Sequence, residues 1–245
     1  TLTVFGESNC NPATDQMELF ILDAPVANAG ADDVTCETKP YTVSDATAAN
    51  YAGVLWTVNA GATGTLSDAT SLTPTYTPGA GDAGNTVTLT MTLAGNANCL
   101  DESDSKDLYI EYAPEAVAGD DAEICITSSY TVVGASTQYD AGFFWELDPA
   151  ANGVLSNETT LAPTYTPAAG DEGLTLTLTL HATGNANCDE ATDQLLITVY
   201  DVPVADAGDD ANSCVTKPYT VSGASVANES NFFWTISPAG AGTLT

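Results

Sequence analysis

Six cysteines are the most reactive side chains of this sequence, and they form two series of equal step. Cys36, Cys125 and Cys214 lie 89 positions apart, and so do Cys10, Cys99 and Cys188. Two cysteines per repeated unit, in an acidic chain that reads as exported, predict disulfides formed in an oxidising compartment. Two pairings are open. Within a unit, Cys36 with Cys99 and Cys125 with Cys188 would each close a loop of 63 positions, which restricts the unfolded chain and stabilises by about 4 kcal/mol. Between consecutive units, Cys36 near the bottom of one would instead meet Cys188 near the top of the next. Linking Cys99 to Cys125 would span two unit lengths, against a Cα separation of at most about 6.8 Å in a disulfide. Zinc is the rival chemistry, but neither CxxC nor CxxH spacing occurs, and the sole histidine, His181, has the outward parity of its strand.

The acids come next, because some recur from copy to copy inside the chain. Asp32, Asp121 and Asp210 coincide, as do Asp15, Asp104 and Asp193, and as do Asp82 and Asp171. Carboxylates in turns, beside Asn and Gly that free backbone carbonyls, suit a hard cation that takes 6 to 8 oxygen ligands. Asp32, Asp121, Asp210, Asp104 and Asp193 are therefore the candidate calcium ligands, and calcium is the only cofactor the sequence suggests. The competing role is turn capping, in which Asp accepts from its own neighbouring backbone, and no EF-hand or DxDxDG loop is present. Catalysis finds no support. A nucleophile, a base and an orienting group must converge, and one outward histidine without GxSxG or HExxH offers nothing, so an enzyme is not expected.

The formal charge is -30, from 33 Asp and Glu against 3 Lys and no Arg. Such a surface repels phosphate backbones and anionic headgroups, so neither nucleic acid nor a membrane surface is an expected partner. At 44 % hydrophobic residues the chain is apolar enough to build cores and is no disordered acidic tail. No apolar run is long enough to span a bilayer, and no signal-peptide pattern opens the chain. The sequence starts in a strand-like pattern, TLTVFG, and stops in another, GAGTLT, which reads as two cuts through a longer protein.

What must position these groups is a repeat. Trp56, Trp145 and Trp234 also step by 89, without insertion or deletion. The expected organisation is the C-terminal part of a unit (1–23), complete units at 24–112 and 113–201, and the start of a fourth (202–245). Apolar residues alternate with Thr through Val87, Leu89, Met91 and Leu93, and again through Leu176, Leu178 and Leu180. Period two is the signature of half-buried strands. Further strands are read at Tyr41–Val43, Val54–Val58 and Leu108–Ile110, between turn-rich segments such as PGAGDAGN and GNANC. About 90 residues of short strands predict an all-β fold of tandem immunoglobulin-like β-sandwiches, strung out as an elongated rod. Trp56, Trp145 and Trp234 share parity with their core-facing neighbours and are the expected core. Leu55, Phe144 and Phe233 have the opposite parity, on the outer face, where they are either covered by a neighbouring loop or strand or form a lateral contact with another copy.

The run PVANAGADDVTCETKPYTV, the strand VLWTV, the segment LTPTYTPGAGDAGNTVTLTMTLAGNANC and the closing strand DLYIEY together resemble PKD-like or immunoglobulin-like tandem repeats of giant surface proteins of the Bacteroidota. Those include SprB-like gliding adhesins, substrates of the type IX secretion system. The resemblance covers the whole chain, copy by copy, and it implies a secreted, surface-attached, filament-forming adhesin used in attachment and gliding motility. Its partners would be neighbouring repeats, other copies in a filament, and surface glycans or a substratum reached through parts outside this chain. The alternatives are a carbohydrate-binding or spacer module of a secreted hydrolase and a self-assembling extracellular sheath or surface-layer subunit.

Overall fold

A segment in which Thr alternates with Val, Leu or Met has no stripe of helical period; as a strand it turns every apolar side chain to one face. The computed structural model, which describes residues 1–185, 187–238 and 241–244, is built of strands, with no helix among the described residues. It divides into two compact units, Thr1–Tyr112 and Ala113–Thr245.

In the first unit a short antiparallel pair, β1 (Leu2–Val4) with β2 (Ala13–Asp15), precedes a sandwich. The sandwich consists of β3 (Val26–Asn28), β4 (Asp33–Cys36), β5 (Tyr41–Thr42), β6 (Thr47–Ala49), β7 (Tyr51–Val58), β8 (Thr65–Ser67), β9 (Thr75–Thr77), β10 (Thr86–Gly95) and β11 (Glu102–Glu111). The second unit repeats these nine as β12 (Glu115–Val117), β13 (Ala122–Cys125), β14 (Tyr130–Thr131), β15 (Ser136–Gln138), β16 (Gly142–Leu147), β17 (Val154–Ser156), β18 (Thr164–Thr166), β19 (Thr175–Thr183) and β20 (Ala191–Tyr200). It then adds a pair, β21 (Val204–Asp206) with β22 (Ser225–Ala227). Apart from β7 and β16, every strand of the second sandwich begins 89 positions after its counterpart.

One sheet of the first sandwich has the order β4-β11-β10-β7, with β4 parallel to β11 and the remaining pairs antiparallel. The others are β5-β9-β8 and the short ladder β3-β6, and the second unit has the same orders at its own positions. A sheet built from the third long strand and the last two, with the entering strand running parallel to the last, is the immunoglobulin-like arrangement.

Between the sheets lie Val43, Trp56, Tyr76, Val87, Leu89, Met91, Leu93, Leu108 and Ile110. The second core repeats this with Val132, Trp145, Tyr165, Leu176, Leu178, Leu180, Leu195, Ile197 and Val199. Each large aliphatic side chain withdrawn from water is worth about 1.5–3 kcal/mol. Trp56 stands opposite Met91, and Trp145 opposite Leu180. Their indole N–H groups stay satisfied by donating to Ser71 O at 3.0 Å and to Thr160 O at 3.1 Å.

Trp234 departs from this pattern, because it is 46 % exposed whereas its two counterparts are 2 % exposed. Among the described residues of 202–245 only β21 and β22 are strands.

Candidate functional site

Each repeat encloses a carboxylate with unusual completeness. Asp82 is 1 % exposed and Asp171 0 % exposed. Asp82 Oδ1 accepts from Thr63 N at 2.7 Å and Thr63 Oγ1 at 3.0 Å, while Oδ2 accepts from Tyr76 Oη at 2.6 Å and Gly79 N at 2.7 Å. In the second unit Asn152 N, Asn152 Nδ2, Tyr165 Oη and Ala168 N donate to Asp171 in the same way. Burial alone would raise the Asp82 pKa, but the Tyr76, Thr63 and Gly79 donors outweigh it and hold it at about 2. Asp171 is held at about 2 by the same balance. Tyr76 is pushed up to about 12, first by burial and then by its bond to Asp82, and Tyr165 is also raised. Gly64 is required where this network closes: its N–H donates to Tyr76 Oη at 3.1 Å, and a Cβ there would collide with the tyrosine ring and the Thr77 carbonyl.

The candidate calcium ligands are engaged with backbone N–H groups. Asp104 Oδ2 accepts from Ala29 N at 2.8 Å, and Asp193 Oδ2 from Ala118 N at 2.8 Å. Asp32 Oδ1 accepts from Asp107 N at 2.9 Å, and Asp121 Oδ1 from Leu196 N at 2.8 Å. These bonds are not turn caps, since each joins residues 75 positions apart and ties the entering segment of a repeat to its last strand. Among the described residues no three His, Cys, Asp or Glu side chains are grouped to hold a metal ion. Asp210, the third member of its series, is exposed.

A buried lysine distinguishes the two repeats, and nothing in the periodicity announces it. Lys106 is 1 % exposed and donates to Tyr41 Oη at 2.6 Å and Asp45 Oδ1 at 3.0 Å. Tyr41 in turn donates to Asp33 Oδ2 at 3.0 Å. Burial disfavours the ammonium, yet its bonds to Tyr41 and Asp45 outweigh that and raise its pKa. The Asp45 carboxyl is lowered, first by the Ala31 N–H and then by Lys106. Eighty-nine positions on, Lys106 becomes Leu195 and Asp45 becomes Gly134: the second repeat replaces the pair with an apolar side chain and no side chain at all.

The outward residues also differ. Leu55 is half-exposed, and Phe233 is exposed. Phe144 stacks on the His181 ring with centroids 4.6 Å apart and planes 4° apart. The cover comes from the adjacent strand β19, where His181 is the cross-strand neighbour of Phe144. His181 Nδ1 faces Glu190 Oε1, and Nε2 lies 3.2 Å from Glu146 Oε2, at ion-pair distance but without hydrogen-bond alignment.

Of the six cysteines, Cys36 and Cys188 are disulfide-bonded, whereas Cys10, Cys99, Cys125 and Cys214, which carry the same expectation, are free thiols. The within-repeat pairing is not formed. Cys36 is the register partner of Glu111 at the end of β11, and Cys99 lies in the turn before Glu102, where β11 begins. The nine steps between those ends cover about 30 Å at about 3.3 Å each, several times what a disulfide spans.

No protein family matches this chain, and no curated protein matches it. Among solved structures, the I-band fragment I67-I69 of titin is 14 % identical, with 75 % of this chain and 68 % of that chain covered and a TM-score of 0.40. The immunoglobulin domains 1-4 of Sidekick-1 are 14 % identical, with 72 % and 48 % covered and a TM-score of 0.39. An endo-fucoidan hydrolase of glycoside hydrolase family 107 is 15 % identical, with 73 % of this chain and 29 % of that chain covered and a TM-score of 0.30. The chain thus spans under a third of the hydrolase, and its immunoglobulin-like assignment rests on its own strand order.

The segments YTPGAGD and YTPAAGD, identical but for one residue, are the signal that could have located the Tyr–Asp network in advance. Replacing a buried Asp by Asn removes the charge and mismatches at least one donor. Asp82→Asn should therefore lower the urea stability of its repeat by about 2–3 kcal/mol, the scale of a hydrogen bond to a charged group. Because the folded pKa of about 2 lies below the ordinary unfolded value of about 3.9, the carboxylate's contribution is complete above about pH 4. It is lost as pH falls towards 2, and an acid titration of Asp82→Asn should lack that component.

At the lysine, Asp45→Gly should cost about 2 kcal/mol by leaving a buried ammonium underpaired, and Lys106→Leu should cost less, because Asp45 keeps access to water. Chemical denaturation of the double variant should show recovery of most of the Asp45→Gly loss. With the recurring carboxylates already bonded to backbone N–H groups, a chelator should leave the thermal midpoint unchanged; a fall on chelation would give these acids a cation.

Proposed function

We propose that this chain is part of the structural stalk or filament of a secreted, surface-attached adhesin, supporting attachment and gliding. The observation that carries the reading is the succession of two self-contained sandwiches, matched strand for strand at a step of 89 residues. An enzyme or receptor concentrates its chemistry in one place, whereas here the conserved features of each copy, the Trp core and the Tyr–Asp network, are internal and repeated. Their role in this reading is mechanical. Each sandwich must be unfolded separately against its own cooperative core, and only three residues, Tyr112 to Pro114, separate β11 from β12. Pro114 fixes its own φ and restricts the residue before it. The -30 charge keeps such shafts soluble and apart from anionic surfaces, and the scarcity of Lys and Arg leaves few sites for trypsin-like proteases.

Immunogold labelling of the native source with an antibody raised against the chain tests this. Label along thin extracellular fibres is the expected result. Label confined to a soluble secreted hydrolase, together with glycan-array binding by the isolated chain, would replace the stalk by a carbohydrate-binding module.

A further inference from the structure

The buried lysine of the first repeat is set against a carboxyl group as two reactants would be. Lys106 lies on β11 opposite Leu89, at an inward position, and its Nζ reaches Asp45 Oδ1 at 3.0 Å. The carboxyl group is fixed on its other sides. Asp45 Oδ2 accepts from Ala31 N at 2.8 Å, and a Cβ at Gly30 would collide with all three heavy atoms of the carboxyl group. The Lys106 side chain is fully enclosed while that of Asp45 is 44 % exposed, so the amine is shut off from water and the acid opens onto it.

A third ionisable group completes the arrangement. Lys106 Nζ donates to Tyr41 Oη at 2.6 Å, and Tyr41 Oη donates to Asp33 Oδ2 at 3.0 Å, a path along which a proton can leave the ammonium. The lysine and the two acids are present together or absent together. Eighty-nine positions on, Lys106, Asp45 and Asp33 become Leu195, Gly134 and Ala122, whereas Tyr41 is kept as Tyr130. A simple ion pair needs two of the three; the exchange of Asp33 along with them ties it to the same task.

We propose that Lys106 and Asp45 condense to an isopeptide bond, an amide that staples β11 to the segment between β5 and β6 within the first repeat. The ammonium passes a proton through Tyr41 to Asp33, and the resulting amine, desolvated and already in contact with the acid, attacks Asp45 Cγ. Oδ2 takes up the developing negative charge under the Ala31 N–H, as in an oxyanion hole. Oδ1 then leaves as water, so that a C–N bond replaces a C–O bond. Two of the three ammonium protons depart with that oxygen, one of them returned from Asp33, and the third stays on the amide nitrogen. No oxidant or second substrate enters, and the two opposite charges disappear together. The hydrogen bonds that raise the lysine and lower the acid make their neutral forms scarce, so condensation is slow beside folding. Freshly folded chain carries the ion pair, and denaturing or pulling fresh chain reads that state. The proposal goes beyond the stalk reading and does not depend on it.

Trypsin gives a direct test. Lys39 and Lys217 precede Pro40 and Pro218, where it does not cut, so Lys106 is its one site, and cutting there needs a free ammonium. The 245-residue chain is refolded, kept at neutral pH and sampled from the first hour to several weeks. Each sample is denatured, reduced, weighed whole and digested. The expected result is a growing fraction that is lighter by one water and that trypsin leaves intact. From that fraction a glutamate-specific protease should release one branched peptide holding both Lys106 and Asp45. A chain that keeps its full mass and is cut at Lys106 throughout overturns the proposal. So does a loss of water that persists in Asp45→Gly, which retains the tryptic site and should be cut completely.

Discussion

A carboxylate withdrawn from water holds each repeat in register. Asp82 joins three stretches of chain that would otherwise be free to separate: the loop at Thr63, the strand β9 through Tyr76, and the turn at Gly79 that leads into β10. Burying a charge is costly, and here four donors in the first repeat and four in the second offset that cost. The position matters because the chain crosses between the two sheets at this point. Where β10 begins decides which of its residues face inwards, and a slip of one would turn Val87, Leu89, Met91 and Leu93 out to solvent and bring Thr into the core. The apolar core supplies most of the stabilisation, and the Tyr–Asp network selects the register in which that core forms.

The two repeats are the same solution with different detail. Their Trp residues, aliphatic ladders and cross-tying aspartates coincide, and so does the bond from the last strand back to the entering segment, Asp104 to Ala29 and Asp193 to Ala118. They diverge at Lys106 and at Phe144, where a side chain and a neighbour it touches differ together between the copies. Lys106 with Asp45 occupies the space that Leu195 with Gly134 occupies in the second copy. On the outer face, Phe144 with His181 stands where the first copy has Leu55 beside Thr92. Each exchange involves both partners, which is what direct contact across a sheet requires.

Much of this was legible in the sequence, because period two and a fixed 89-residue step are properties of the backbone that many residues report at once. The strands, the two complete repeats and the burial of Trp56 and Trp145 follow from them. Trp234 does not, since parity states which way a side chain points but not whether anything lies over it. The role of Asp82 was hidden for another reason: in a chain with 33 acidic residues, recurrence alone cannot separate an acid enclosed by donors from one in water. Lys106 escaped notice because a charged residue at an inward strand position is readable only once its partners, 61 and 65 positions away, are brought beside it.

The central claim is that these are autonomous sandwiches in tandem. Single-molecule extension of the 245-residue chain, pulled from its ends with and without reductant, tests it most directly. The account predicts two unfolding steps of equal contour length, each matching one 89-residue repeat, in the reduced chain. One merged step, or steps of unequal length, would contradict it.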